Sequence, residues 1–204
     1  MKKMDIRKRQ DWAEILSLIS SPPLVSTVFF IFLVFKYSSD LSEGLRWLVG
    51  ISPFLIFIPI TYLGISYKLG WVSDFDISER NQRPLPMTIF IIGVAVASII
   101  LYFLKVPLDL FVYALSGFVT LIIMTVITFF WKISLHTATL SSIFTAIVVL
   151  GGLKFLPFYL ILIPVGWSRV VLKKHSVNQV IAGVLVSSLV TLTVFHLFGY
   201  NFNF

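Results

Sequence analysis

Seven apolar segments, separated by short polar stretches, make up most of this chain. A helix needs about 20 apolar residues to cross the hydrocarbon core of a bilayer, and several of the segments reach that length. Only 12% of the residues are charged, and most of them lie at segment ends. The sequence therefore predicts an all-α, polytopic membrane helix bundle of about six to seven transmembrane helices, forming one domain over residues 1–204. The segments run over residues 15–35, 47–67, 87–103, 108–131, 132–150, 155–167 and 177–198.

The N-terminal residues 1–14 form a basic head, which we expect at the cytoplasmic surface of a cell membrane. No cleavage site follows this head, so we interpret the first apolar segment as a retained helix. Pro22-Pro23 removes two backbone donors inside that segment, which predicts a kink or a fresh helix start. The net charge of +7 is explained by membrane topology, so we expect no nucleic-acid partner. The absence of cysteine excludes disulfides and thiolate chemistry.

Three polar stretches, residues 68–86, 132–136 and 168–175, are separated from one another by pairs of predicted spans. They should therefore emerge on the same face of the membrane. If the N-terminus is inside, that face carries most of the lysines and arginines, which favours the cytoplasmic side. The face would gather the basic residues Arg80, Arg83, Lys132, Arg169, Lys173 and Lys174 and the histidines His136 and His175.

These residue types suit phosphate chemistry. Guanidinium groups offer paired donors and a permanent charge to phosphate oxygens. A neutral histidine can attack phosphorus, and a protonated one can act as the acid for the departing oxygen. The pattern predicts phosphoryl transfer without a metal, with fixed cations stabilising the transition-state charge.

Three motifs in this region resemble the signatures of the type 2 phosphatidic acid phosphatase (PAP2) superfamily. Arg83-Pro84 matches the end of the first signature, a Lys followed after six residues by Arg-Pro. Ser134 and His136 match the Ser and His of the second signature, Pro-Ser-Gly-His. Ser168-Arg169, five residues and then His175 match the third, in which an Asp follows after three more residues. The resemblance runs from about residue 76 to residue 183, in the family's order.

The resemblance implies a PAP2-like helix bundle and a metal-independent lipid phosphatase that needs no cofactor. His175 would be the nucleophile that forms a phosphohistidine, and His136 would protonate the leaving alcohol. Arg83 and Arg169 would hold the phosphate, and Ser134 would donate to another phosphate oxygen. The substrate would be a phosphate monoester or diphosphate on a phospholipid or prenyl carrier.

Two positions depart from the family's pattern. Asp76 stands where the family has its first Lys, and we expect Lys132 or Arg80 as the replacement cation. Gln179 stands where the family has the Asp that orients the nucleophilic histidine. A Gln oxygen can fix the imidazole tautomer but does not stabilise a positive charge as a carboxylate does. These departures also motivate an alternative, a catalytically silent relative that binds or carries lipid phosphate.

The acidic residues of the 68–86 loop suggest one further alternative. Asp74, Asp76 and Glu79 resemble the second aspartate-rich motif of UbiA-type prenyltransferases, in which carboxylates hold magnesium on a prenyl diphosphate. That family needs two such clusters, and this chain has one. A purely structural role would pair Asp76 and Glu79 with Arg80 and Arg83 to order the loop.

Overall fold

The computed structural model describes residues 2–200, with side chains from residue 7 onward, and every regular element in that range is helical. A π-helical turn, Pro53–Phe57, joins two of the α-helices, and 3-10 segments occupy Arg80–Gln82 and Leu153–Ile161. The α-helices are α1 (Lys2–Ile19), α2 (Pro22–Tyr37), α3 (Leu41–Ser52), α4 (Ile58–Lys68), α5 (Pro84–Phe103), α6 (Leu108–Phe130), α7 (Leu135–Gly151), α8 (Leu162–Val171) and α9 (Val177–Leu197).

Five continuous helical units are long and apolar enough to cross a membrane, and a bent pair brings the number to six within the described chain. The five are Leu41–Lys68, Pro84–Phe103, Leu108–Phe130, Leu153–Val171 and Val177–Leu197. The sixth combines Arg7–Ile19 with Pro22–Tyr37, which meet at an angle of 43°. The remaining apolar helix, α7, has 17 residues. The chain is therefore all-helical and compatible with a membrane helix bundle.

The bend between α1 and α2 lies at the predicted proline pair. The first helix ends at Ile19, and Pro22 takes the first position of the second helix, where a missing backbone N–H costs nothing. The basic head is part of α1 and continues into its apolar half. Along α1, Ala13, Ser17 and Ser20 are buried at a spacing of one helical turn each, and the helix packs on α8.

The start of the second span differs from the sequence prediction. Residues 36–46 were expected to form a polar loop, but α3 already begins at Leu41. The Asp40 carboxylate accepts a hydrogen bond from the Glu43 backbone N–H at 2.8 Å, and the Glu43 carboxylate accepts one from the Ser39 N–H at 2.7 Å. These reciprocal bonds satisfy free N–H groups at the helix start and allow the helix to begin among polar residues.

The central helix of the bundle is α7, which contacts α2, α6, α8 and most extensively α9. Hydroxyl groups line the contact with α9: the Ser141 hydroxyl donates to the Val184 carbonyl at 3.0 Å, and Ser142 and Thr191 share a bond of 2.8 Å. Small and hydroxyl-bearing residues let membrane helices approach closely, as they do here. The close contact fixes the beginning of α7 against the beginning of α9, where the candidate site lies.

Candidate active site

Arg83 connects two of the three polar stretches. Its side chain is only 2% exposed, at the end of the loop that joins α4 to α5. The guanidinium Nε donates to the Ile77 carbonyl at 2.8 Å, and Nη1 donates to the Ile133 carbonyl at 3.0 Å. Burial, together with the nearby positive charge of Arg169, lowers the pKa of Arg83 to about 10. Among the described side chains no carboxylate forms an ion pair with Arg83, so its charge is available to an anion.

The turn after α8 brings the two ends of the third motif together. Lys173 adopts a left-handed backbone with φ of 54°, and the chain then folds back on the helix end. As a result, the Arg169 carbonyl accepts the backbone N–H groups of Lys174 at 3.0 Å and of His175 at 3.2 Å. This is the usual way in which a reversed turn satisfies the last carbonyls of a helix. The five-residue spacing therefore places His175 back against Arg169.

His175 is held by Gln179, at the position where the PAP2 motif has an Asp. The His175 Nδ1 lies 3.1 Å from the Gln179 Oε1. An amide oxygen only accepts, so Nδ1 carries the ring proton and Nε2 keeps its lone pair. Burial and the positive charges of Arg83 and Arg169 lower the pKa of His175 to about 3. The imidazole is therefore neutral at physiological pH.

The same Gln179 side chain also caps α9. Its Oε1 accepts the Ser176 N–H at 3.2 Å, while the Ser176 hydroxyl accepts the Gln179 N–H at 3.4 Å. This reciprocal arrangement is a capping box, which fixes both residues at the helix start. Because Gln179 belongs to a capped first turn, its oxygen is held in position for the His175 ring.

Asp76 occupies a different position from the one that the sequence suggested. One of its carboxylate oxygens, Oδ2, accepts a hydrogen bond from the Arg169 Nη1 at 2.9 Å. The other, Oδ1, lies 3.9 Å from the His136 Nε2. Asp76 therefore bridges the arginine of one motif and the histidine of another.

The purely structural pairing of Asp76 and Glu79 with Arg80 and Arg83 is not found among the ion pairs of the described residues. Arg80 instead donates to the Phe129 carbonyl at 2.8 Å, at the end of α6. Asp74 pairs with Lys174, with 3.6 Å between the charged atoms. The loop is held by its own Arg83, through the Ile77 carbonyl, and by two cations from outside it, Arg169 and Lys174.

Ser17 is a site residue that the motif analysis missed. Its hydroxyl accepts a hydrogen bond from the Arg169 Nη1, and its backbone lies beside the His136 imidazole and favours the protonated ring. The residue lies on α1, in the first predicted segment, far from the motifs in sequence. The spacing of Ala13, Ser17 and Ser20 along one face of α1 was the available signal, because small residues on one face indicate close helix packing.

Ser134 lies at the N-cap of α7, against the first turn of α9. Its backbone N–H donates to the Gln179 carbonyl at 3.3 Å, and the Thr137 hydroxyl donates to the Val180 carbonyl at 3.1 Å. Its own hydroxyl is buried and makes no cap bond. Lys132, two residues earlier, is half-buried, and burial lowers its pKa with a further contribution from Arg83. The stretch thus adds a hydroxyl, a helix N-terminus and an amine to the site.

The site contains most of the unsatisfied buried polar groups in the described structure. Five buried side-chain nitrogen or oxygen atoms among the described residues lack a hydrogen-bond partner. Two are the hydroxyls of Ser66 and Thr120, and the other three are the Ser134 Oγ, the His136 Nε2 and the Arg169 Nε. Buried polar groups are nearly always hydrogen-bonded to protein, water or ligand, so these three atoms are available to a polar ligand. Ser168, by contrast, donates to the Val165 carbonyl at 2.7 Å and has a structural role.

Within the described residues, no group of three or more His, Asp or Glu side chains is arranged to hold a metal ion. The carboxylates of Asp74 and Asp76 are directed at Lys174 and Arg169 and are not directed at each other.

Comparison of the chain with protein-family models, curated proteins and solved structures finds no match. The chemistry of the site is therefore inferred from its own contacts and from the motif resemblance.

Proposed function

We propose that this chain is a membrane lipid phosphatase that acts through a phosphohistidine on His175. The substrate is a phosphate monoester or diphosphate on a phospholipid or prenyl carrier. The observation that carries the proposal is the set of three buried, unpartnered groups, the Ser134 Oγ, the His136 Nε2 and the Arg169 Nε. A hydroxyl, an imidazole nitrogen and a guanidinium N–H are groups that a phosphate would satisfy together.

The phosphate is held by cations from separate parts of the fold. Arg83 is anchored by two backbone carbonyls and has no carboxylate partner among the described side chains, so a phosphate supplies the negative charge that it lacks. Arg169 keeps its Nε free while Nη1 is taken by Asp76 and Ser17. The N-terminus of α7 adds free backbone N–H groups next to Ser134, which favours an anion there.

The reaction has two displacement steps. In the first, the His175 Nε2 lone pair forms an N–P bond while the bond from phosphorus to the lipid oxygen breaks. The proton that the departing oxygen needs comes from His136. In the second step, water gives a proton to His136 and attacks phosphorus, the N–P bond breaks, and inorganic phosphate leaves.

Gln179 supports the neutral nucleophile but not a charged one. Its oxygen holds Nδ1–H and so directs Nε2 at the phosphorus. As the N–P bond forms, positive charge develops on the ring, and an amide stabilises that charge less than a carboxylate would. We therefore expect slower turnover than an Asp at this position would give.

The location proposed is a cell membrane, with the site on the cytoplasmic face. The excess of lysine and arginine on the side that holds the site supports this orientation. A lipid substrate in that leaflet would place its phosphate at the level of the helix ends, where Arg83 and the turn after α8 lie.

A second candidate function is favoured by Asp76. Its carboxylate already accepts a hydrogen bond from the Arg169 Nη1. Without that bond, Arg169 could offer Nη1 as well as Nε to a phosphate. A protein that binds or carries lipid phosphate without hydrolysing it would show the same contacts. The two functions differ in whether phosphate is released.

The test is phosphate release in detergent from a panel of lipid phosphates and prenyl diphosphates, with and without a chelator. The native protein is compared with His175→Ala and Gln179→Asp. We expect release that survives the chelator, disappears in His175→Ala and increases in Gln179→Asp. Binding of a lipid phosphate without turnover would favour the silent carrier, and release that requires magnesium would favour the carboxylate loop.

A further inference from the structure

We infer that Asp76 is a positioning residue that serves His136 as the acid of the reaction, which rests on the proposed phosphatase function. The two histidines of the site face different partners. The His175 ring is hydrogen-bonded to the amide oxygen of Gln179, at 3.1 Å. The His136 ring instead lies 3.9 Å from a carboxylate oxygen of Asp76. A carboxylate stabilises an imidazolium and a neutral amide does so far less, so this difference assigns the proton to His136 and the lone pair to His175.

The contacts of His136 locate the mobile proton. The Ser17 backbone lies beside this ring and favours its protonated form. The other nitrogen, Nε2, is buried, has no hydrogen-bond partner among the described residues and lies 3.9 Å from the Asp76 Oδ1. The proton that leaves in the reaction is therefore the one on Nε2, beside the carboxylate.

The charges around His136 come from several elements. Burial opposes protonation of His136 most strongly in the empty site, Arg169 on α8 and Arg83 before α5 oppose it as well, and Asp76 favours it. A bound phosphate brings negative charge that offsets the two arginines. Together with the Asp76 carboxylate, the phosphate charge favours the protonated ring, so substrate binding itself prepares the acid.

The loop is shaped to hold Asp76 in this position. The next residue, Ile77, has φ of 47°, a left-handed conformation that a β-branched residue rarely adopts. Its N–H donates to the Asp74 carbonyl at 3.0 Å, and its carbonyl accepts from the Arg83 Nε at 2.8 Å. Strained backbone of this kind persists where surrounding contacts determine it, and here those contacts fix the direction of the Asp76 side chain.

Asp76 takes part in the reaction without exchanging atoms. The proton on the His136 Nε2 moves to the leaving oxygen as the P–O bond breaks and the His175 N–P bond forms. His136 is then neutral and accepts a proton from the attacking water in the second step. Asp76 remains hydrogen-bonded to the Arg169 Nη1 throughout.

The experiment compares two leaving groups. A short-chain alkyl phosphate has a poor leaving group that needs the acid, whereas a dinitrophenyl phosphate leaves as a stable anion and does not. For Asp76→Asn we expect kcat on the alkyl phosphate to fall about 100-fold, within the usual range for loss of general acid catalysis. On the dinitrophenyl phosphate we expect a change of no more than a few fold. His136→Ala should show the same pattern, and Asp76→Glu should restore part of the alkyl activity.

Asp74→Asn is the matched control, because Asp74 lies on the same loop but pairs with Lys174. Its ratio of alkyl to dinitrophenyl turnover should equal that of the native protein, and vanadate binding shows that each variant is folded. An equal loss on both substrates in Asp76→Asn, or faster turnover on both, overturns the inference while leaving the phosphatase proposal intact. If the native protein hydrolyses neither substrate, the proposed function itself fails.

Discussion

Gly183 lies on α9 where that helix meets the start of α7, and an alanine there should destabilise the protein. A Cβ atom at this position would lie 2.6 Å from the Ser134 carbonyl oxygen and 2.7 Å from the Thr137 Oγ1. Ordinary contacts of a Cβ atom begin near 3.4 Å, so the two helices must separate by several tenths of an ångström. The Ser134 carbonyl is backbone and has little freedom to move away.

The expected magnitude combines two opposing effects. Overpacking a well-packed contact costs about 1–3 kcal/mol. Replacing a helical glycine by alanine returns up to about 1 kcal/mol. Because the nearest atom is a backbone oxygen, the cost should lie in the upper part of that range, at about 2–3 kcal/mol, and the net loss should be about 1–2 kcal/mol. Each kcal/mol corresponds to about 2–4 °C for a chain of this size. We therefore expect Gly183→Ala to lower the unfolding midpoint by roughly 2–8 °C.

The assay is thermal unfolding in detergent, with Gly117→Ala as the control. Gly117 lies within α6, and a Cβ atom there would meet nothing within 4 Å. That variant should unfold at the native temperature or slightly above it. If both variants unfold at the same temperature, the close contact between α7 and α9 is not as described, and neither is the placement of Ser134 beside Gln179.

Three further predictions concern the site. Ser176→Ala removes the hydroxyl that caps α9 and should cost about 1 kcal/mol, measured as a lower unfolding midpoint in detergent. His175 has a pKa near 3 when folded and about 6.5 when unfolded, so the unfolded chain binds the proton first as pH falls. The contribution of His175 to the free energy of unfolding is therefore complete above about pH 6.5 and is lost toward pH 3. The difference in unfolding free energy between the native protein and His175→Gln should change over that pH range. A constant difference would contradict the lowered pKa of His175. Arg83→Lys replaces a guanidinium group that donates to two backbone carbonyls with a single amine. The loop before α5 should then become more sensitive to limited proteolysis. Cleavage of the variant at the native rate would argue against those two hydrogen bonds.

The parts of the fold that the sequence predicts are those set by local rules. Apolar length predicts the spans, and the Pro22-Pro23 pair predicts the bend, because both effects act within one helix. The early start of α3 could have been predicted in the same way. Asp40 and Glu43 stand at the spacing of an N-cap residue and the third residue of the helix, which is a local capping pattern. The polar composition of residues 36–46, taken alone, instead favours a loop.

The partners of the loop carboxylates could not be predicted from spacing. Asp76 contacts Arg169 beside a left-handed Ile77, and no local rule favours that conformation for isoleucine. Ser17 is brought into the site by the packing of α1 on α8, across most of the length of the chain. Such long-range contacts depend on how the helices pack, which apolar periodicity alone does not specify.

The most direct test of the proposed chemistry is to look for phosphate bound to His175. The native protein is mixed with a labelled lipid phosphate that it hydrolyses, quenched rapidly in base, digested and examined by mass spectrometry. We predict label on the peptide that contains His175, at a level that falls as the substrate is consumed, and none in His175→Ala. Hydrolysis by the native protein without labelled His175, or equal hydrolysis by His175→Ala, would contradict the account.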